Sequence, residues 1–422
     1  MKKQKILKWI SYGAMAVLIV AMMAATVLER IYGTDFALRW VYHNPAFFVL
    51  WGVAAVADLW LLLERGVARK PFTLLLHAAF VLILAGALVT HLWGESGMIH
   101  LRASEAKAEF EREDAPPASL PFSIRLEKFA IEYDPVSGTP ADYRSDVTFL
   151  PEGRTAVISM NHIGKYGGYR FYQADYDADG RGSVLAVSHD PWGVSITYLG
   201  YALLLLSMIG YLFRKDKPGM RHPEPEACHP EPVEGSLDSA RDDKAARKDK
   251  ARPRFWRIAL IVAVGILLLL WWLDAFPKGP LMPVLRSPLL FIHMIPIMVS
   301  YALFGVLAVM GLVGLFVRKE ASERLRTAGL RMLLPAVFLL TFGTFLGAVW
   351  ANISWGNYWA WDPKETWALV TLLVYSFPLH GSVLKVFDKP RFFHAFLLVA
   401  FLCVLATYFG VNLLLGGMHS YA

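Results

Sequence analysis

Met332–Asn352 reads MLLPAVFLLTFGTFLGAVWAN, and three residues later comes Trp355-Gly356-Asn357-Tyr358-Trp359-Ala360-Trp361-Asp362-Pro363-Lys364-Glu365-Thr366-Trp367, after which a second apolar stretch begins. The first segment is close to the roughly 20 residues that an α-helix needs to cross hydrocarbon. Without water, only a helix satisfies its own backbone there, so the two apolar segments read as transmembrane helices joined at the membrane edge by the tryptophan loop. An ordinary interfacial belt scatters a Trp or Tyr at each helix end. Here four tryptophans share one short loop with Gly, Pro and charges. Flat aromatic surface gathered in this way suits a large planar ligand, and the candidate is a porphyrin.

The same apolar pattern recurs along a chain of 422 residues that is 56% hydrophobic, which makes it a polytopic membrane protein. Spans are expected at about 9–28, 45–63, 73–93, 192–213, 256–275, 289–317, 332–352, 366–384 and 392–415, nine helices in all. Lysines and arginines cluster at Lys2, Lys3, Lys5 and Lys8, at Arg65, Arg69 and Lys70, from Arg214 on, at Arg318 to Arg331, and at Lys385, Lys389 and Arg391. Every cluster falls on one side, so the N-terminus is expected in the cytoplasm. Residues 29–44, 94–191, 276–288, 353–365 and the C-terminus are then expected outside. A basic start with Ala24 and Ala25 after the first apolar run also fits a cleaved signal peptide, but the run exceeds a usual signal core, and a retained helix is the expectation.

The net charge of +7 belongs to inward-facing loops, where it sets insertion into the lipid bilayer, and no nucleic-acid signal is present. Cys228 and Cys403 are the only cysteines, so the chain has no disulfide framework, no CxxC redox pair and no CxxCH of its own.

The expected fold is therefore all-α and polytopic, with one outward β-rich domain at 94–191, where Phe122, Ile124 and Leu126, then Phe129, Ile131 and Tyr133, alternate. Its size limits the core it can bury, so part of its apolar face is expected against the membrane helices. Residues 214–254 are charged and carry His222-Pro223-Glu224-Pro225 and His229-Pro230-Glu231-Pro232; they are expected to be a disordered cytoplasmic tether. That tether separates a first half, 1–213, with four spans and the β-rich domain, from a second, 255–422, with five spans and the Trp-rich loop 353–367.

Histidine is costly in hydrocarbon, and neutral imidazole is a good iron ligand. His77 and His380 each lie about one turn inside the inner ends of their helices, so two imidazoles there could clamp one haem iron. His394 lies at similar depth and is a rival. His293 and His419 are level with the Trp loop, a second possible pair, outward-facing. His43, His91, His100, His162 and His189 lie at the outer surface or in the soluble domain, where surface or turn roles are expected. In the loop, Trp355, Trp359 and Trp361 can stack on or edge a porphyrin, Gly356 permits close backbone approach, and Asp362, before Pro363 and an apolar helix, is expected to cap that helix or brace the loop. Arg286, Lys278 and Lys364 are candidate partners for the propionates.

These residues carry a resemblance. Trp355 to Glu365 resembles the tryptophan-rich (WWD) signature of the haem-handling proteins of cytochrome c biogenesis. Ser287-Pro288-Leu289-Leu290-Phe291-Ile292-His293 and Gly410 to Tyr421, with Gly416-Gly417-Met418-His419, are similar to the two flanking histidine motifs of the CcsA (ResC) proteins. Ser159-Met160-Asn161, Gly168 to Asp177, Asp190-Pro191 and Tyr198-Leu199-Gly200 resemble the end of CcsB (ResB) proteins. Together they cover nearly the whole chain and resemble the fused CcsBA cytochrome c synthases of System II, in a compact form with a long tether. The resemblance implies haem b held as substrate by His77 and His380 at an inner site and by His293 and His419 at an outer one, which sets His394 aside. It implies that His293, His419, Trp355, Trp359, Trp361 and Asp362 form the place where haem vinyl groups join the thiols of an apocytochrome c CxxCH segment. The implied setting is the bacterial inner membrane, with a thioredoxin-like thiol reductant as a further partner. Two other readings of the residues are a haem transporter without ligation chemistry and a b-type electron-transfer protein.

Overall fold

The computed structural model describes residues 2–66, 70–112, 115–135, 138–160, 162–213 and 287–416. The expected span 256–275, the tether, Lys278, Arg286 and His419 lie outside them.

Helix α1 (Lys2–Tyr32) runs into the short α2 (Thr34–Ala37) and a π-helical turn, Leu38–Tyr42. Then come α3 (Pro45–Glu64) and α4 (Pro71–Trp93), and, beyond the β-domain, α5 (Gly193–Phe213). The second half supplies α6 (Pro288–Phe316), α7 (Lys319–Trp355), α8 (Pro363–Ser376) and α9 (Pro390–Leu405), the last continuing as a π-helical segment to Leu415. Proline opens α3, α4, α6, α8 and α9, a position where its missing N–H costs nothing and its fixed φ suits the helix.

Among the described residues seven helices are long and apolar enough to cross a membrane: Lys3–Tyr32, Pro45–Glu64, Pro71–Trp93, Gly193–Tyr211, Pro288–Phe316, Lys319–Trp355 and Pro390–Leu415. The expected span 366–384 is different. Its α-helix stops at Ser376 and continues as a 3-10 turn, Phe377–His380, because Pro378 cannot donate the next helical hydrogen bond. At 1.5 Å per residue α8 alone is about 21 Å long, short of a full crossing.

Helices of the two halves interpack. Ala14, Leu18 and Met22 of α1 share a buried cluster with Trp367 and Val370 of α8 and with Val411, and Ala79, Leu204 and Met208 share another with Phe338 of α7. Lys3 pairs with Glu64 at 3.0 Å and Arg65 donates to the Ser382 carbonyl at 3.1 Å, so the start of α1, the end of α3 and the chain after α8 meet at one end of the bundle. The tryptophan loop lies at the other.

Residues 95–189 form a β-sandwich. One antiparallel sheet has the order β1 (Glu95–Arg102), β8 (Gly182–His189), β7 (Tyr169–Tyr176), β6 (Gly164–Tyr166). The other runs β2 (Ala106–Phe110), β3 (Ala118–Tyr133), β4 (Pro140–Leu150), β5 (Arg154–Ser159). The alternation Phe122, Ile124, Leu126 changes parity at Phe129 because the register of β3 on β4 shifts between Leu126 and Lys128, a bulge that returns Phe129 to the buried face. Most of the domain's apolar face closes on itself, with Ile99, Leu101, Ile124, Leu126, Phe149, Phe171 and Leu185 forming a core between the sheets. The helices are met by Arg170 and the buried Tyr172 of β7.

Candidate functional site

His77 and His380 come together at the end of the bundle where Lys3 meets Glu64. Their ring centres are 6.0 Å apart with planes at 83°. Two metal–imidazole bonds of about 2 Å each, with each ring centre roughly 1 Å behind its nitrogen, give about 6 Å for rings facing one ion. Each ring is also fixed in the same way. His77 Nδ1 is 2.8 Å from the Thr73 carbonyl and His380 Nδ1 is 2.9 Å from the Ser376 carbonyl. A carbonyl only accepts, so Nδ1 carries the proton in both, and Nε2 is left as the lone-pair nitrogen. Asp58 Oδ2 stands 3.9 Å from His77 Nε2, and the Tyr12 ring lies 6.0 Å from His380. Sequence reasoning passed over both, although Asp58 is an acid inside an apolar span, the signal that should have found it.

His394 is placed elsewhere. It is fully buried, its Nε2 lies 3.0 Å from the Ser322 carbonyl, and its ring fills the space that a side chain at Gly314 would occupy. Using Nε2 on a backbone carbonyl is the reverse of what His77 and His380 do.

At the opposite end, His293 on α6 repeats their arrangement: its Nδ1 lies 3.0 Å from the Leu289 carbonyl. Its ring stacks on Trp350 with centres 5.6 Å apart and planes at 21°, and Trp350 meets Trp355 edge to face at 4.9 Å. Trp350, absent from the sequence-based site, is buried in α7. It is the largest side chain closed around His293, and its place at the loop end of that helix was the available clue. The indole N–H groups of Trp350 and Trp359 and the Ser354 hydroxyl are buried without partners. Donors left in that condition suit an anionic ligand group such as a propionate, and the residues present fit haem as substrate.

The tryptophan loop is held by the first half of the chain at several places. Trp361 stacks on Tyr42 at 4.6 Å and 10°, with Phe47 against its edge at 5.3 Å. Tyr358 donates to Thr90 at 2.7 Å, and Thr90 donates to Asp190, which caps α5. Asn352 accepts from Arg170 of β7 at 3.1 Å and from Tyr198 of α5 at 3.0 Å while its amide donates to the Gly356 carbonyl. Gly356 itself is pressed against Tyr172. The close approach expected of Gly356 is thus to the β-domain, and one face of Trp361 is occupied by Tyr42.

Two backbone features fit this clamping. Gly356 ends α7 in the left-handed region at φ 86°, and a Cβ there would come within 2.7 Å of the Tyr172 ring. Gly356→Ala is expected to cost about 1–3 kcal/mol and to lower the thermal midpoint in detergent by several degrees. An unchanged midpoint would show that this contact is slack. Trp361 holds φ 59°, unusual for a bulky residue and characteristic of functional loops. Asp362 is buried and its Oδ1 accepts from the Lys364 N–H at 2.9 Å, which is an N-cap of α8, while Glu365 accepts from the Ala360 N–H at 2.9 Å. Lys364 donates to Asn412 at 2.9 Å, and burial holds its ammonium below the usual lysine range, with Asp362 opposing.

Comparison with known proteins divides the chain in two. Residues 51–188 match the ResB-like family, and residues 242–419 match the family described as Cytochrome C assembly protein. The chain is similar to Protein NrfI of Wolinella succinogenes, 41% identical over 152 residues, which are 34% of this chain and 17% of NrfI. It is similar to Cytochrome c biogenesis protein CcsA of Chlamydomonas reinhardtii, 39% identical over 156 residues, covering 34% of this chain and 43% of that one. The CcsA of Prochlorococcus marinus (strain MIT 9301) is 35% identical over 183 residues, 35% of this chain and 58% of the relative. The chain therefore matches less than two thirds of the length of each of these relatives.

Proposed function

We propose that this chain, a cytochrome c biogenesis protein joining a ResB-like and a cytochrome c assembly region in one polypeptide, moves haem b outward across the bacterial inner membrane and attaches it to apocytochrome c. The observation that carries this reading is the shared fixing of three histidines: His77, His380 and His293 each donate from Nδ1 to the carbonyl four residues back, and in His77 and His380 this leaves Nε2 as the lone-pair nitrogen. Two of them face one another at one end of the bundle. The third stands beside the tryptophan loop at the other.

In this reading the end bearing Lys3 is cytoplasmic and the loop end faces the periplasm. His77 and His380 receive haem iron between them. His293, with His419 as the second ligand, holds it outside, where Trp350, Trp355 and Trp359 border the ring and the buried indole N–H groups of Trp350 and Trp359 meet the propionates. Each thioether forms by addition of a CxxCH thiol across a haem vinyl group: one carbon–sulfur bond is made, the thiol hydrogen goes to the other vinyl carbon, and no electrons are gained or lost. The protein contributes position, since holding thiol and vinyl at contact distance removes most of the entropic barrier. Asp362 acts by capping α8 and so setting the loop. The chain has no cysteine pair, so a thioredoxin-like partner must keep the CxxCH thiols reduced. The substrate's own histidine then replaces one protein ligand and releases the product.

The test is co-expression with a CxxCH apocytochrome in a host lacking its own maturation system. Covalent haem on the cytochrome is expected. Free haem outside without covalent product would reduce the protein to a transporter, and two permanently bound redox-active haems with no effect on maturation would make it an electron carrier.

Asp58 gives a finer prediction. As the acid nearest the inner pair, it should favour iron binding by its charge, so Asp58→Asn is expected to weaken haem binding at that site about tenfold in a haem titration. An unchanged affinity would leave Asp58 with no part in it.

A further inference from the structure

The fold brings together two histidines that the sequence leaves far apart. His43 follows the π-helical turn after α2 and His91 lies in the last turn of α4, yet their ring centres are 5.6 Å apart with planes at 40°. Phe48 stacks on His91 at 4.4 Å and 27°, which fixes that ring, and both imidazoles are exposed. At about 2 Å per metal–nitrogen bond, with each ring centre roughly 1 Å behind its nitrogen, two imidazoles on one ion have centres about 5–6 Å apart.

Their surroundings narrow the ligand. Tyr42, the residue before His43, stacks on Trp361, and Thr90, the residue before His91, accepts the hydrogen bond of Tyr358. The pair is therefore flanked by two of the contacts that hold the tryptophan loop. His91 also shares its helix with His77: fourteen residues separate them, about 21 Å of rise and within roughly 40° of the same helix face.

We propose that His43 and His91 form an outer two-imidazole site for a transition-metal centre, placed to take haem iron between the inner pair and the tryptophan loop. The haem role rests on the transport reading above; the two-imidazole chemistry does not.

The test uses the purified full chain in lipid nanodiscs, titrated separately with hemin and with Cu2+. His43→Gln with His91→Gln is expected to bind one equivalent fewer of low-spin bis-imidazole haem than the parent, or to lose a Cu2+ resonance with two-nitrogen splitting. The first result assigns the site to haem iron, the second to a bare dication. Unchanged hemin and Cu2+ stoichiometries overturn the site. His91→Gly with added imidazole serves as the second variant: recovery of the lost equivalent shows a missing ligand rather than a damaged fold. If hemin stoichiometry survives loss of His77 and His380 but falls with His43 and His91, the transport route fails and the outer pair stands.

Discussion

Replacing His293 by glycine is expected to lower covalent cytochrome c formation by at least about 100-fold, and added imidazole is expected to restore part of it. The size follows from what His293 does in the proposed reaction. In that proposal it is an axial ligand beside the loop; its Nδ1 is fixed on the Leu289 carbonyl, and its ring lies on Trp350. Removing it takes away an iron bond and lets the porphyrin turn or slide against the tryptophans. Displacement of a reacting group by about 1 Å can cost on the order of 100-fold when positioning is the main catalytic device. Gly347 packs directly under the ring, so the glycine variant leaves a slot that a free imidazole can enter. Maturation at the parental rate without imidazole would remove His293 from the site.

The second large effect is at the other end of the bundle. His77→Ala combined with His380→Ala is expected to abolish the bis-imidazole spectrum of the inner haem and to lower haem copurifying with the protein severalfold, because both iron bonds and both fixed Nε2 atoms are lost together. His394→Ala is the matched control. Its Nε2 is engaged with Ser322 and its ring is enclosed beside Gly314, so it should cost packing and stability but leave the haem spectrum unchanged. An unaltered spectrum in the double variant, or its loss in the control, would reassign the inner site.

Much of the architecture was legible because lipid imposes strict local rules. A run of about 20 apolar residues has one way to satisfy its backbone, and seven described helices follow from that. Asp362 before Pro363 announced a helix cap, whereas the bulge behind the parity change at Phe129 emerged only from the strand register. That the α-helix of the expected span 366–384 stops at Ser376 was not legible, because a hydropathy window does not register what Pro378 does to the hydrogen-bond ladder. The apolar alternation of the β-domain was visible too, but alternation says that one face is buried and not against what. The second sheet of the same domain provides the cover.

The candidate site divides along the same line. Residue type and depth, properties of the chain itself, single out His77, His380 and its rival His394, His293, His419 and the tryptophan loop, since an imidazole or an indole cluster in a membrane segment is costly wherever that segment packs. Which ring faces which, and which nitrogen is tied up, depends on helices distant in sequence, and only the packed bundle ties His394 Nε2 to the Ser322 carbonyl or seats Trp350 under His293. Tyr42, Thr90, Arg170 and Tyr172, ordinary residues of the first half, become the frame of a loop more than 180 residues away, as in the 182-residue separation of Arg170 and Asn352. By itself the sequence determined the membrane class and pointed to two halves and to the candidate residues. How those side chains stand to one another only the tertiary structure decided, because ring distances, stacking and shared hydrogen bonds arise only when separate helices are brought into contact.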